Sequence, residues 1–267
     1  MIPLYLVISL LSSGLFLSPV FALLKKSFLR QNYQGKNIPS GLGLLLILNF
    51  LAVTPFMHLF SGVTLSMILL KGFLLGVIAF IGTVDDFLGD SSRGIKGHVK
   101  VLIKEKRFTS GGLKAAVGLL SGFMLGIFLG GSFLEVVISA LVFALSVNTF
   151  NLMDVRPGRS LKTYIFFSLM IIIWGRDQVI LLITPILGAA LRILPLDLGE
   201  EGMLGDIGSN LLGASVGFFL VVLLDLPMKI LILGALIVIQ WVGDHISFSK
   251  LIDGNNALRY IDNLGRK

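Results

Sequence analysis

Residues 63–86 read VTLSMILLKGFLLGVIAFIGTVDD. An α-helix needs about 20 apolar residues to cross the ~30 Å hydrocarbon core of a bilayer. The run from Val63 to Ile81 has that length, then passes through a Gly82-Thr83 turn to two adjacent carboxylates, Asp85 and Asp86. An Asp at the bilayer centre costs about 2.5–3.5 kcal/mol on insertion scales, so carboxylates beside a span are functional candidates by default. The stretch reads as a membrane helix that delivers acids to one membrane face.

Working outward, the rest of the chain repeats this pattern. It has 267 residues, 55% hydrophobic and 14% charged, with a mean hydropathy of +0.94; a soluble domain carries roughly 25% charged residues. Spans are expected near 2–24, 41–60, 63–81, 113–131, 133–153, 161–175, 178–195, 207–224 and 228–243. The sixth is short, and is expected to tilt or break. Long apolar runs favour helices, whose backbone hydrogen bonds close internally, and no soluble β pattern is evident. The expected fold is an all-α polytopic bundle of about nine membrane helices. It forms a single integral membrane domain over 1–267, with a polar cytoplasmic tail over 244–267. The absence of Cys excludes disulfides, thiolate metal sites and Cys nucleophiles.

Charge placement sets the expected orientation. The first apolar run, Ile2 to Leu24, is followed rather than preceded by basic residues (Lys25, Lys26, Arg30), the reverse of a cleavable signal peptide. It reads as a retained span with its N-terminus outside. The inside segments are then 25–40, 82–114, 154–162, 192–206 and 244–267, and they hold 19 of the 22 Lys and Arg. Only Lys71, Arg176 and Lys229 lie elsewhere, an asymmetry that fits the positive-inside rule. Asp85, Asp86, Asp154 and Asp206 all come to the cytoplasmic ends of spans. The net charge of +7 therefore reports topology and contact with anionic lipid rather than nucleic acid. The basic stretch 91–114 reads as a loop or an interfacial amphipathic helix, and also as a platform for anionic lipid or pyrophosphate.

Four polar islands carry the chemistry. Asp85-Asp86 places two carboxylates together, so a proton or a cation is expected between them. Such a pair suits Mg²⁺, which binds through one or two carboxylates plus substrate phosphates; it is equally what a solvated helix end looks like. Asn148, Asn151 and Asp154, at i, i+3 and i+6, share one helix face within roughly a 120° arc. They suit a nucleobase, a ribose or a metal's outer shell, or simple polar contacts between helices. Asp206 opens the eighth span, where the helix dipole favours a carboxylate. Ser209, Gly213 and Gly217 follow it as a small-residue packing seam. Lys36 and Pro39-Ser40-Gly41-Leu42-Gly43 lead into the second span, where glycine allows close backbone approach to a ligand. Arg156, Arg159 and Lys162 either hold phosphate or serve topology.

Taken in order over roughly residues 35–220, Pro-x-Gly-x-Gly, Asp-Asp, Asn-x-x-Asn-x-x-Asp and Gly-Asp-x-Gly-Ser resemble the polyprenyl-phosphate N-acetylhexosamine-1-phosphate transferases. The resemblance implies transfer of a sugar 1-phosphate from a UDP-N-acetyl amino sugar to polyprenyl (undecaprenyl) phosphate, with release of UMP, for cell-envelope synthesis. It implies Mg²⁺ as cofactor, Asp206 with Asp86 as metal ligands, and Asp85 and Asp86 as catalytic groups acting on the lipid phosphate. Asn151 and Asp154 would lie in the nucleotide pocket with Asn148, Arg156 and Arg159, and Lys36 and Ser40 nearby. The implied partners are the membrane, the lipid, the UDP-sugar and a second copy in a homodimer. The implied location is the plasma membrane of a prokaryote.

The chain departs from that pattern in three places. The family usually continues Asp-Gly-x-Asp-Gly where this chain reads Asp154-Val155-Arg156-Pro157-Gly158-Arg159. A late His-rich loop is absent, and nine spans replace ten. Two other readings therefore stay open: a non-catalytic relative that binds polyprenyl lipid or scaffolds envelope synthesis, and a transporter whose acids move cations. Transport sites lie near the membrane midplane, whereas these acids gather at one boundary.

Overall fold

The structure is a computed structural model that describes residues 1–88, 110–175, 177–246 and 248–266. Its elements are α1 (Ile2–Ser27), a hairpin of β1 (Leu29–Gln31) and β2 (Asn37–Pro39), α2 (Leu44–Ser61), α3 (Leu65–Leu88), α4 (Ser110–Phe128), α5 (Phe133–Met153), α6 (Arg159–Trp174), a 3-10 segment (Gln178–Ile183) running into α7 (Thr184–Leu198), α8 (Gly205–Leu223), α9 (Leu226–His245), α10 (Phe248–Asp253) and α11 (Asn256–Asn263). The all-α membrane bundle expected from composition is the architecture found. Among the described residues, eight helices are long and apolar enough to cross a membrane. α6 has 16 residues, about 24 Å at 1.5 Å per residue, and falls short of the ~30 Å core.

Lipid solvation and burial divide these helices. Some 72% of the apolar window is buried both in α8 and in the 3-10 segment with α7, against 17% for α1 and 22% for α9, so α7 and α8 form the interior of the bundle and α1 and α9 lie at its edge. α8 packs on α3, α5 and α6. Phe218, Phe219, Leu211 and Leu212 of α8 are fully buried.

Small residues set how closely these helices meet. A Cβ on Gly43 would lie 2.2 Å from the Gly208 backbone, and one on Gly82 would lie 2.8 Å from Asp206 O and Ile207 Cα. The main chains of α2 and α3 therefore touch the start of α8 with no side chain between them. Farther along α8, a Cβ on Gly213 would lie 2.6 Å from Ser146 O and Val147 Cα, and one on Gly217 would lie 3.2 Å from Phe143 Cα. The expected small-residue seam thus packs on α5.

One local reading changes, and two polar segments prove to be folded. Gly82-Thr83 is not a turn: α3 runs on through it to Leu88, because the missing side chain serves contact with α8. The segment after α1 forms an antiparallel hairpin pairing Leu29 with Pro39 and Gln31 with Asn37. The Asn32 side chain closes its turn by accepting from the N–H groups of Gln34 (3.0 Å) and Lys36 (2.9 Å), with Gly35 at φ 79°. The polar tail folds as α10 and α11. Of the basic stretch 91–114, residues 91–109 lie outside the described residues and 110–114 open α4.

Two lysines sit deep among the helices. Lys71 is fully buried; it donates to Leu182 O at 3.0 Å and lies 4.0 Å from the centre of the Phe219 ring. Lys229, at the other end of α9 from the tail, pairs with Glu135 at 2.8 Å. The carbonyl, ring face and carboxylate replace the water these ammonium groups have lost.

Gly43→Ala is expected to destabilise the protein by about 3 kcal/mol or more, the upper end of overpacking costs, since backbone rather than a flexible side chain must give way. Gly234→Ala, where a Cβ meets nothing within 4 Å, should leave the melting temperature in detergent unchanged or slightly raised. Equal melting temperatures for the two variants would refute the contact.

Candidate active site

At one end of the bundle the hairpin, the end of α3, the α5–α6 loop, the α7–α8 loop and the start of α8 enclose a cavity of about 460 Å³. Ser40, Asp85, Asp86, Asp154, Arg156 and Asp206 line it, with Arg30, Tyr33, Asp197 and Glu200. Four islands separated in sequence by tens of residues therefore share one space.

Glycine permits their approach. Gly205 has φ 74°, and a Cβ there would lie 2.9 Å from Gly41 N, 3.0 Å from Ser40 Oγ and 3.2 Å from Asp86 Oδ2. Backbone bonds fix the register: Leu42 N–H to Met203 O (3.1 Å), Gly43 N–H to Leu204 O (3.0 Å) and Met203 N–H to Pro39 O (2.7 Å). These bonds join the Pro39–Gly43 island to the loop that starts α8.

The adjacent carboxylates take different tasks. Asp86 accepts from the N–H groups of Asp206 and Ile207 (3.4 Å), capping α8 from another helix where unpaired N–H groups and the dipole favour an anion. The guanidinium of Arg30 donates to Asp86 O. Asp85 instead hydrogen-bonds to Asp206 and Ser110, and Lys114 Nζ lies 2.5 Å from Asp85 Oδ2 and 3.7 Å from Asp206 Oδ2. Asp206 and Asp86, the expected metal ligands, both line the cavity. The acid whose side chain meets that of Asp206 is Asp85, because Asp86 is turned onto the α8 backbone.

Asp154 ends α5 and faces the cavity. Burial, then the negative charges of Asp197, Asp206 and Asp86, push its carboxyl well above the usual carboxylate range. Two residues on, the Arg156 guanidinium lies 4.4 Å from the centre of the Tyr33 ring. Tyr33 and Asn32 donate to the Glu200 carboxylate at 3.0 and 2.7 Å, holding the hairpin tip over the cavity. Glu200 has φ 53°, a positive value without glycine's freedom. Asp197 accepts from Gly158 N–H at 2.6 Å, tying the α5–α6 loop to α7.

Four expected substrate residues do not line the cavity. Asn148 donates to Gln240 of α9, and Asn151 accepts from Ser209 of α8 at 3.2 Å. The shared helix face is real, but it turns into the α5 packing interfaces, and only Asp154 at the helix end emerges. Lys36 lies exposed in the hairpin turn. Arg159 is buried in a bidentate pair with Asp262 at 2.8 and 2.9 Å, which commits its guanidinium to the tail. Burial alone would raise the Asp262 carboxyl; the hydrogen bonds and charge of Arg159 and then Arg266 outweigh that and hold it below the usual range.

Lys114, Arg30, Tyr33, Asp197 and Glu200 were not singled out from sequence. Lys114 sat among basic loop residues, although its place at the head of an apolar helix set it apart. Asp197 borders a span end as the other acids do.

Among the described residues, no three His, Asp or Glu side chains are grouped as a cage for a metal. Mg²⁺ asks for less: one or two carboxylates, with water and substrate phosphate completing the octahedron. The Asp85–Asp206 pair, two hard oxygen donors in contact, fits that requirement. No protein-family model matches the chain, and no curated protein matches it.

A carboxyl whose folded value is raised contributes stability that is complete in acid and lost as pH rises through that value. Asp154→Asn keeps the neutral form at every pH. It should raise the melting temperature by about 2–4 °C at pH 8, the shift that ~1 kcal/mol gives in a chain of this size. The gain should vanish below about pH 4, where carboxyls are protonated in folded and unfolded chains alike. No gain at pH 8 would refute the electrostatic reading.

Proposed function

We propose that the chain is a membrane-embedded transferase that moves a sugar 1-phosphate from a UDP-N-acetyl amino sugar to polyprenyl phosphate, releasing UMP. The observation that carries this reading is the meeting of Ser40, Asp85-Asp86, Asp154 and Gly205-Asp206 in one cavity. These are the islands whose order in sequence resembles that transferase family.

The orientation belongs to the same proposal. Among the described residues, the cavity end carries the Lys and Arg of the hairpin, the head of α4, the α5–α6 loop and the tail, and the positive-inside rule turns that end to the cytoplasm, where a soluble nucleotide sugar is available. α6 is the ninth crossing: it leaves the cavity loop at Arg159 and leads to the 3-10 segment, whose Gln178 lies beside Gly62 at the far end of α2. Nine crossings put the N-terminus outside and the C-terminus inside. A helix this short thins the bilayer locally. The membrane is the plasma membrane of a prokaryote.

Charge favours a cation-dependent reaction. Asp85, Asp86, Asp197, Glu200 and Asp206 face the cavity against Arg30, Arg156 and the Lys114 ammonium beside Asp85, so acids outnumber bases and a diphosphate is better held when a cation enters with it. Mg²⁺ bound at Asp206 and Asp85 would neutralise charge on the diphosphate as it develops. The lipid phosphate oxygen attacks the β-phosphorus, the bond from that phosphorus to the bridging oxygen breaks, and UMP leaves with the electron pair. Asp85 orients the attacking phosphate or accepts its proton. Asp86 fixes the head of α8, and with it the position of Asp206. Arg156, steadied by Tyr33, offers a planar donor to the phosphates.

One observation favours the non-catalytic alternative, a relative that binds polyprenyl lipid. Arg156 and Pro157 stand in the stretch where the family usually carries a second acid. Purified protein given undecaprenyl phosphate, Mg²⁺ and a panel of UDP-N-acetyl sugars should release UMP with at least one donor. Asp85→Asn and Asp206→Asn should each lower that rate by about 10²-fold or more, as loss of a transition-state contact does. No UMP from any donor, in protein that still binds the lipid, selects the alternative.

A C-terminal tag should be reachable by a membrane-impermeant label only after cells are opened. Labelling in intact cells would overturn the orientation.

A further inference from the structure

The ammonium group of Lys114 lies against the two acids that the metal-dependent reading gives to a divalent cation. Lys114 is 7% exposed and lies on the first turns of α4, with Nζ 2.5 Å from Asp85 Oδ2 and 3.7 Å from Asp206 Oδ2. Ser110, one turn earlier on α4, hydrogen-bonds to Asp85, and Asp85 hydrogen-bonds to Asp206. Carboxylates this close repel unless a proton or a cation lies between them. The hydrogen bond between Asp85 and Asp206 needs a proton on one of them, and α4 adds a cation from the protein itself against Asp85. A hard divalent ion seeks the same oxygens, and two cations sharing them repel each other at close range.

We propose that Lys114 is a resident counter-ion that competes with the divalent cation for Asp85 and Asp206, so that metal binds tightly only when a phosphate group draws the ammonium away. The ammonium suits this exchange. It is a compact charge with three donors on a flexible four-carbon stem, and Arg30 and Arg156 already mark the cavity as a place for phosphate oxygens. Metal and phosphate then favour each other's binding, and by linkage each raises the affinity of the other equally. The free protein stays neutralised without metal. This inference rests on the metal-dependent reading of the cavity and adds the order in which the site is filled.

Mn²⁺ binding, followed by electron paramagnetic resonance on purified protein without substrate, tests it. Wild type should bind weakly. Lys114→Met, with Lys114→Gln as a second neutral variant should the first fail to fold, should bind about tenfold or more tightly, since one repelling unit charge is removed. Lys114→Arg, which keeps the charge, should stay weak. Adding Asp206→Asn to Lys114→Met should abolish the gain. UMP should tighten Mn²⁺ binding to wild type and do so less in the neutral variants. Equal affinity in wild type and both neutral variants, lost on Asp206→Asn, overturns the competition while the metal site stands. Absence of Mn²⁺ binding in every protein, with or without UMP, overturns both.

Discussion

Main-chain contact at the head of α8 is the constraint on which the site depends. Gly43 and Gly208 face each other, and Gly82 faces Asp206 and Ile207, with no room for a Cβ at Gly43 or Gly82. Any side chain there would drive α2 or α3 off α8 and carry Asp85 and Asp86 away from Asp206. Asp86 secures the contact from the other direction by accepting from the first N–H groups of α8. Helix packing and helix capping thus converge on one residue pair. In a bilayer, where lipid tails are as apolar as leucine, close packing of small residues is among the forces that hold helices together.

Charge inside the bundle is handled in three ways. Lys71 has a single carbonyl and the faces of Phe50, Phe218 and Phe219. Lys229 has a carboxylate, Glu135, on a neighbouring helix. Lys114, at the cavity, has two carboxylates from two helices. Lys71 and Lys229 are satisfied where they stand. Of these three, Lys114 faces two acids at a cavity that a second cation can enter, which separates a structural ammonium from one that can exchange partners.

The tail braces the cavity wall. Arg159 and Arg266 both bind Asp262, Arg266 donates to Pro157 O at 2.9 and 3.2 Å, and Lys162 donates to Ile261 O and Asp262 O. Pro157 thereby becomes an anchor point, and the loop carrying Asp154 and Arg156 is held on one side by the tail and on the other by Asp197. Basic residues that read as phosphate ligands are divided: Arg156 faces the cavity, while Arg159 serves the brace.

Run length, composition and charge asymmetry determined by themselves that the chain is a bundle of membrane helices and roughly where each helix lies. Lipid solvation acts on each segment locally, so a span of apolar residues declares itself without reference to its neighbours. The acids at the span ends were legible for the same reason, since a carboxylate there is costly wherever it points. The partners of those acids were decided only by tertiary structure. Arg159 meets a residue 103 positions away and Asn148 one 92 positions away. Asp85 rather than Asp86 meets Asp206 because successive residues on a helix point about 100° apart, and the choice between them depends on how α3 is rotated against α8. That rotation is fixed by the glycines at the contact, whose significance lies in what faces them across the interface.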